Sequence, residues 1–79
     1  MTKSADLDRP THKLLDERRE VLLRRLDNLP VRVRGHRGYR TARNLLNSKY
    51  RRAKPKARAA VLQTAQFMIE VLELLPSLL

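Results

Sequence analysis

The sequence predicts a small all-α domain built from three helices. Three segments carry apolar residues at helical spacing, and prolines lie at or near the ends of those segments. The chain has 79 residues and no cysteine, which indicates one domain without a disulfide bond or a thiolate metal site. We expect residues 1–9 to form a flexible tail and residues 10–79 to form the helical domain.

The first helix is expected over residues 10–29. Pro10 suits a first helical turn because its missing N–H would have no partner there, and Pro30 ends the pattern. Four leucines between the two prolines fall within about 60° of one another on a helical wheel: Leu15, Leu22, Leu26 and Leu29. Leucines on one side of a helix predict a face that packs against the core.

A basic loop, VRVRGHRG over residues 31–38, is expected between the first and second helices. Apolar and basic residues alternate in its first half, but a strand of four residues would have no partner. Gly35 and Gly38 favour an extended, mobile loop. Its cations predict an arm that follows a nucleic-acid groove or backbone, the alternative being a connector with incidental charge: Arg32, Arg34, His36 and Arg37.

The second helix is expected over residues 39–53, and its exposed face predicts a contact with nucleic acid. Its apolar stripe comprises Tyr39, Ala42, Leu46, Tyr50 and Ala53. The other face carries side chains that match base edges, at spacings of 4, 3 and 4: Arg40, Asn44, Asn47 and Arg51. Further cations surround this face as candidate phosphate contacts: Lys49, Arg52, Lys54, Lys56 and Arg58. The alternatives are ordinary solvent-exposed residues or a protein interface.

The third helix is expected over residues 56–75, with Pro76 at its end. Its apolar residues repeat at spacings of 4 and 3 along one side: Val61, Ala65, Met68, Leu72 and Leu75. Neighbouring apolar residues widen this arc to roughly two-thirds of the circumference, more than a surface helix needs. The pattern therefore predicts both a core helix and the seam of a homodimer, since a small core gains stability from oligomerisation.

The net charge of +10 is concentrated in the middle of the chain. No acidic residue occurs from Asn28 to Ile69, whereas eleven Lys and Arg residues do. A helix that needs only solubility mixes both signs of charge, and an unbalanced block repels itself until an external anion offsets it. The charge distribution therefore indicates an anionic partner.

Catalysis is not expected, because neither histidine is spaced with a nucleophile or a carboxylate in a known catalytic pattern. We likewise expect no metal and no other cofactor. The longest apolar runs are far shorter than a membrane span needs, so a cytoplasmic protein without a membrane partner is expected.

The predicted function is that of a small regulatory or architectural protein that binds nucleic acid. DNA is favoured over RNA, although arginine-rich segments serve both. The alternative is a small inhibitor or adaptor, of the kind that phages and plasmids carry. Such a protein would dock on an acidic or nucleic-acid-binding surface of a larger protein machine.

Overall fold

The computed structural model describes the backbone of residues 3–78 and the side chains of residues 12–77. Within these residues the chain forms only helices and short connections, so the all-α class is confirmed. A π-helical turn at Leu45–Lys49 separates the third and fourth α-helices. The α-helices are α1 (Lys3–Asp27), α2 (Val31–Arg34), α3 (Arg37–Asn44), α4 (Tyr50–Arg52) and α5 (Pro55–Leu78).

The core lies between α1, the helical stretch 37–52 and α5. Each of these three segments contributes side chains that are almost completely buried, such as Leu26, Leu46 and Ile69. Burial of this apolar surface is the main favourable term in folding. Among the described side chains, no buried polar atom is left without a hydrogen-bond partner, so the core carries no desolvation penalty of that kind.

Side-chain contacts fix the directions of the long segments. Arg18 on α1 donates to Gln63 on α5 at 3.0 Å. Seven residues further along α1, Arg25 donates to Glu73 at 3.0 Å. Because both partners advance along the chain together, α1 and α5 run in the same direction. The stretch 37–52 runs the opposite way, since its first half contacts the end of α1 and its second half contacts the middle of α1.

Both ends of the chain are more helical than the sequence predicts. α1 begins at Lys3, so the predicted tail is helical from residue 3 onwards, and residues 1–2 lie outside the described part. Most of residues 3–9 are good helix formers, and Pro10 lies inside α1 because a proline removes one hydrogen bond without always ending a helix. Pro76 likewise lies inside α5, in its last turn.

The prediction of an extended loop over residues 31–38 is wrong. Pro30, with φ of −58°, precedes the single turn α2, and its carbonyl accepts a hydrogen bond from the Val33 N–H at 2.9 Å. Val33 is buried and anchors this turn to the core. Gly38 lies inside α3, where a Cβ atom would be 3.2 Å from Leu72. Gly38 therefore permits a close approach of α3 to α5 instead of providing mobility.

The π-helical turn is the main departure from the second predicted helix. The core residues Ala42, Leu46 and Tyr50 are spaced four apart, and in a regular α-helix each such step drifts by about 40° around the axis. A π turn has i→i+5 hydrogen bonds and is wider, which reduces that drift. It keeps Leu46 and Tyr50 in the core and rotates the side chains that follow it.

The seam predicted on the third helix is the core-facing side of α5. Val61, Ala65 and Leu72 are buried within the chain itself, and Met68 and Leu75 pack against that core while half-buried. The core role of this stripe is therefore confirmed, but its buried members leave no surface for a partner. Over Pro55–Ser77 this helix is also long and apolar enough to cross a membrane, a criterion that the core helices of soluble proteins meet as well.

Candidate nucleic-acid interface

Eight cations between α2 and the start of α5 are exposed and form neither an ion pair nor a side-chain hydrogen bond among the described residues. We call them the basic face: Arg32, Arg37, Arg40, Lys49, Arg51, Arg52, Lys54 and Lys56. The acidic residues of the described part lie only on α1 and on the C-terminal half of α5. The basic face therefore keeps nearly all of its charge for an external anion.

Arginines surround the N-terminus of α3. They recur at every third residue and, with His36, line an open depression of about 950 Å³: Arg34, Arg37, Arg40 and Arg43. Arginine side chains favour anions, and arginine can form two parallel hydrogen bonds with a phosphate. This corner is suited to a phosphate group.

Arg43 was missed by the sequence analysis, although the three-residue spacing from Arg37 and Arg40 was a signal for it. Its guanidinium donates to Asp27 at 3.0 Å and to the Tyr39 hydroxyl at 2.8 Å. The hydrogen bond to Asp27 is the main cause that raises the pKa of Arg43. Arg43 is thus held at the edge of the depression with part of its charge already balanced.

A second groove runs between the stretch 37–52 and α5. Its volume is about 690 Å³. It is lined by both polar and apolar residues: Asn44, Ser48, Lys49, Arg52, Ala53, Ala57 and Val61. Asn44 is exposed and lies beside two cations of the basic face. The groove therefore presents an amide that can pair with a base edge next to charges that attract phosphates.

Asn47 does not join Asn44 on the exposed face, contrary to the prediction. Within the π turn it points towards α1, where it is half-buried and accepts a hydrogen bond from Arg19 at 3.1 Å. The predicted spacing of 4, 3 and 4 presumed a regular α-helix, and nothing in the sequence marked the wider turn. Ser48 takes the place next to Asn44 in the groove.

Two of the predicted nucleic-acid contacts, Arg34 of the arm and the phosphate contact Arg58, have internal partners instead. Arg34 donates to the carbonyl of Leu29 at 3.0 Å and also to the carbonyl of Asp27. It thereby satisfies carbonyl groups at the C-terminal end of α1, which would otherwise lack donors. Arg58 donates to the carbonyl of Tyr50 at 3.1 Å, and its guanidinium lies 4.9 Å from the centre of the Tyr50 ring.

Tyr50 holds the stretch 37–52, which carries most of the basic face, against α1. Its hydroxyl donates to Asp16 on α1 at 2.6 Å, and its ring lies between the guanidinium groups of Arg19 and Arg58. Burial, followed by the hydrogen bond to Asp16, raises the pKa of Tyr50 to about 12. Tyr50 therefore joins α1 to the stretch 37–52 as a neutral phenol.

Comparisons of the chain with models of protein families, with curated proteins and with solved structures found no match. Within residues 12–77, no group of three histidine or acidic side chains could hold a metal ion. The charge and shape of the basic face are thus the features from which a function can be inferred.

Proposed function

We propose that the chain binds the phosphate backbone of a nucleic-acid duplex, DNA in preference to RNA, through the basic face. The observation that carries this proposal is the set of eight exposed cations that form neither an ion pair nor a side-chain hydrogen bond in the described part of the chain. Duplex DNA carries one negative charge per about 1.7 Å of its axis, and cations that neutralise phosphates release condensed counterions. A dense and unpaired set of cations matches such a partner.

The dimensions of the stretch 37–52 support a groove-spanning contact. Its sixteen residues extend over about 24 Å at a helical rise of about 1.5 Å per residue. The major groove of DNA is about 12 Å wide, so cations near the two ends of this stretch can reach phosphates on both sides of it. Arg37 and Arg40 lie near one end, and Arg51 and Arg52 lie at the other.

Binding to the backbone is favoured over reading of the base sequence. Backbone contacts position a protein on the duplex, whereas hydrogen bonds to base edges supply sequence preference. Of the two asparagines expected to contact bases, Asn47 is engaged by Arg19 and only Asn44 is exposed. An architectural role that tolerates many sequences follows from this imbalance.

A pair of matched variants tests the proposal. Arg52→Ala removes one cation of the basic face, and Arg24→Ala removes an exposed cation on α1, so both variants lose the same net charge. We expect Arg52→Ala to weaken binding to every duplex alike and to reduce the salt slope by about one unit. Arg24→Ala should bind like the parent in the same mobility-shift titrations.

The control also defines the result that contradicts the proposal. Equal losses for Arg52→Ala and Arg24→Ala would mean that binding depends on the total charge and not on the basic face. Circular dichroism of both variants should match that of the parent, because exposed substitutions away from structural contacts change stability little.

A further inference from the structure

One side of α5 carries large apolar side chains that the fold leaves exposed. Phe67 is 66% exposed, Val71 is 45% exposed and Leu74 is 61% exposed. At 100° per residue the three fall within about 60° of one another, on the side of α5 opposite its core residues. We call these three residues the α5 stripe.

We propose that a second copy of this chain covers the α5 stripe, with the two α5 helices packed antiparallel in a symmetric dimer. In such a dimer the same surface is used by both copies, so every contact from one end of α5 to the other occurs twice. This surface differs from the seam predicted from the sequence, whose residues face the core of the chain.

The sizes of the exposed side chains are complementary in the antiparallel arrangement. On the side of the stripe, the N-terminal half of α5 exposes the small residue Ala60, whereas the large residues of the stripe lie in its C-terminal half. Antiparallel packing places the large half of one helix against the small half of the other. Small residues at a helix contact allow close approach, which lets large side chains of the partner fill the space.

The charges along α5 are complementary in the same arrangement. Lys56 and Glu70 are both exposed, lie on the same side of α5 as the stripe and form no ion pair within the described residues. Antiparallel packing brings Lys56 of each copy towards Glu70 of the other. Parallel packing would instead place like charges level with each other, which disfavours it.

A second copy fits this surface better than a membrane does. Helices that lie on membrane surfaces flank their apolar face with Lys and Arg. On one side the α5 stripe is flanked by Glu70, and Gln63 lies one turn before it on the same side. An acidic flank repels anionic lipids, whereas it attracts the basic start of another α5.

Dimerisation through the stripe would leave seven of the eight cations of each basic face free. Only Lys56 lies on α5 beside the stripe, and the other seven precede α5 in the chain. The dimer would therefore hold two duplex segments at once and bridge them. This consequence rests on the proposed function, whereas the dimer itself does not.

The dimer is tested by sedimentation equilibrium without nucleic acid, over about 1 to 500 μM, a range that covers weak and moderate protein interfaces. The expected mass approaches twice the 9.2 kDa of one chain, and Leu74→Glu or Phe67→Glu should hold the mass at one chain while keeping the parent's circular dichroism. The matched control is Leu14→Glu, an equally exposed leucine on α1 that should leave the dimer intact.

Two results would overturn the dimer. One is a parent chain that stays at a single-chain mass over the whole range. The other is a dimer that Leu14→Glu disrupts and that Leu74→Glu and Phe67→Glu do not, because the contact would then lie on α1.

The antiparallel arrangement has its own test. Lys56→Glu and Glu70→Lys should each weaken the dimer by about fivefold, because exposed ion pairs contribute little individually and each pair occurs twice. The double variant should restore the parent's dissociation constant. Losses that simply add in the double variant would exclude the proposed pairing of these two residues.

Bridging is measured by capture of a labelled duplex on beads that carry a second, different duplex. The parent should capture it, and Leu74→Glu should bind single duplexes like the parent without capturing the second one. Duplex binding without a dimer would leave the proposed function standing and reject the dimer. A dimer without duplex binding would reject the proposed function and leave the dimer standing.

Discussion

At the scale of single residues, Arg19 makes several contacts that hold α1 against the stretch 37–52. From α1 it donates to the carbonyl of Leu46 at 2.6 Å and to the side chain of Asn47 at 3.1 Å. Its guanidinium also lies 5.5 Å from the centre of the Tyr50 ring. A carbonyl within the π turn therefore gains a charged donor, which stabilises a turn that would otherwise be uncommon.

This network predicts that Asn47 contributes to stability and not to binding. Asn47→Ala removes the acceptor of a charged hydrogen bond and should lower the free energy of unfolding by about 1–2 kcal/mol. Urea titration measures that change, and duplex affinity of the folded variant should equal that of the parent. If Asn47→Ala instead lost affinity for particular duplex sequences while its stability stayed unchanged, Asn47 would have to lie on the exposed face.

Ionisation of Tyr50 makes the free energy of unfolding depend on pH in the alkaline range. Its pKa is about 12 in the folded chain and 10.0 ordinarily, so the unfolded chain loses this proton first as the pH rises. The stabilising contribution is complete below pH 10 and falls as the pH approaches 12, by about 3 kcal/mol in total.

The comparison that isolates Tyr50 is urea unfolding of the parent and of Tyr50→Phe between pH 8 and 11. The variant should be less stable at pH 8, because it lacks the hydrogen bond to Asp16. The difference between the two proteins should narrow as the pH rises above 10. A constant difference over the whole range would show that the phenol titrates alike in both states.

At the scale of elements, α5 separates a buried side from an exposed one. Leu72 is 2% exposed, so Leu72→Glu should lower the free energy of unfolding by several kcal/mol and unfold a marginally stable domain. Val71→Glu, one residue away and partly exposed, should remain helical at low protein concentration. Circular dichroism distinguishes the two, and a helical, cooperatively unfolding Leu72→Glu would contradict the assigned core.

Periodicity was enough to predict the long segments and much of the core. Leu22 and Leu46 lie on the predicted apolar stripes of the first and second helices, and both are buried. Ile69 is one of the apolar residues beside the predicted stripe of the third helix, yet it is completely buried. Spacing identifies an apolar face, whereas the packing of neighbouring helices decides which of its members are covered.

The short elements could not be predicted for a physical reason. The alternation VRVR suggests extended backbone, but burial of Val33 and the hydrogen bonds of Arg34 favour a helical turn. The π turn likewise depends on packing of Leu46 and Tyr50 against other helices and on the contact with Arg19. These are tertiary interactions, which local propensity does not contain.

The candidate site was predictable in its charge but not in its arrangement. An acid-free segment identified the cations, and eight of them are exposed with neither an ion pair nor a side-chain hydrogen bond in the described part of the chain. Arg34 was assigned to the nucleic-acid arm and Arg58 to phosphates, but each donates to backbone carbonyls five to eight residues away along the chain. The sequence shows which charged residues are present, whereas the fold determines which of them have internal partners.

At the scale of the whole molecule, the acidic residues lie apart from the central cations. α1 mixes acidic and basic residues, and Glu73 on α5 is engaged by Arg25, whose pKa the hydrogen bond between them raises. The segment from α2 to the start of α5 has no acidic residue. Self-repulsion within that segment lowers stability, so a bound polyanion should stabilise the folded chain.

The salt dependence of duplex binding tests the central claim most directly. If six to eight cations of the basic face contact phosphates, a plot of log K against log salt concentration should have a slope of about −5 to −7. Fluorescence anisotropy with a labelled DNA duplex at several salt concentrations measures it. A slope shallower than about −2, or a dissociation constant weaker than about 100 μM at physiological salt, would contradict the claim. That result would favour an acidic protein surface as the partner of the basic face.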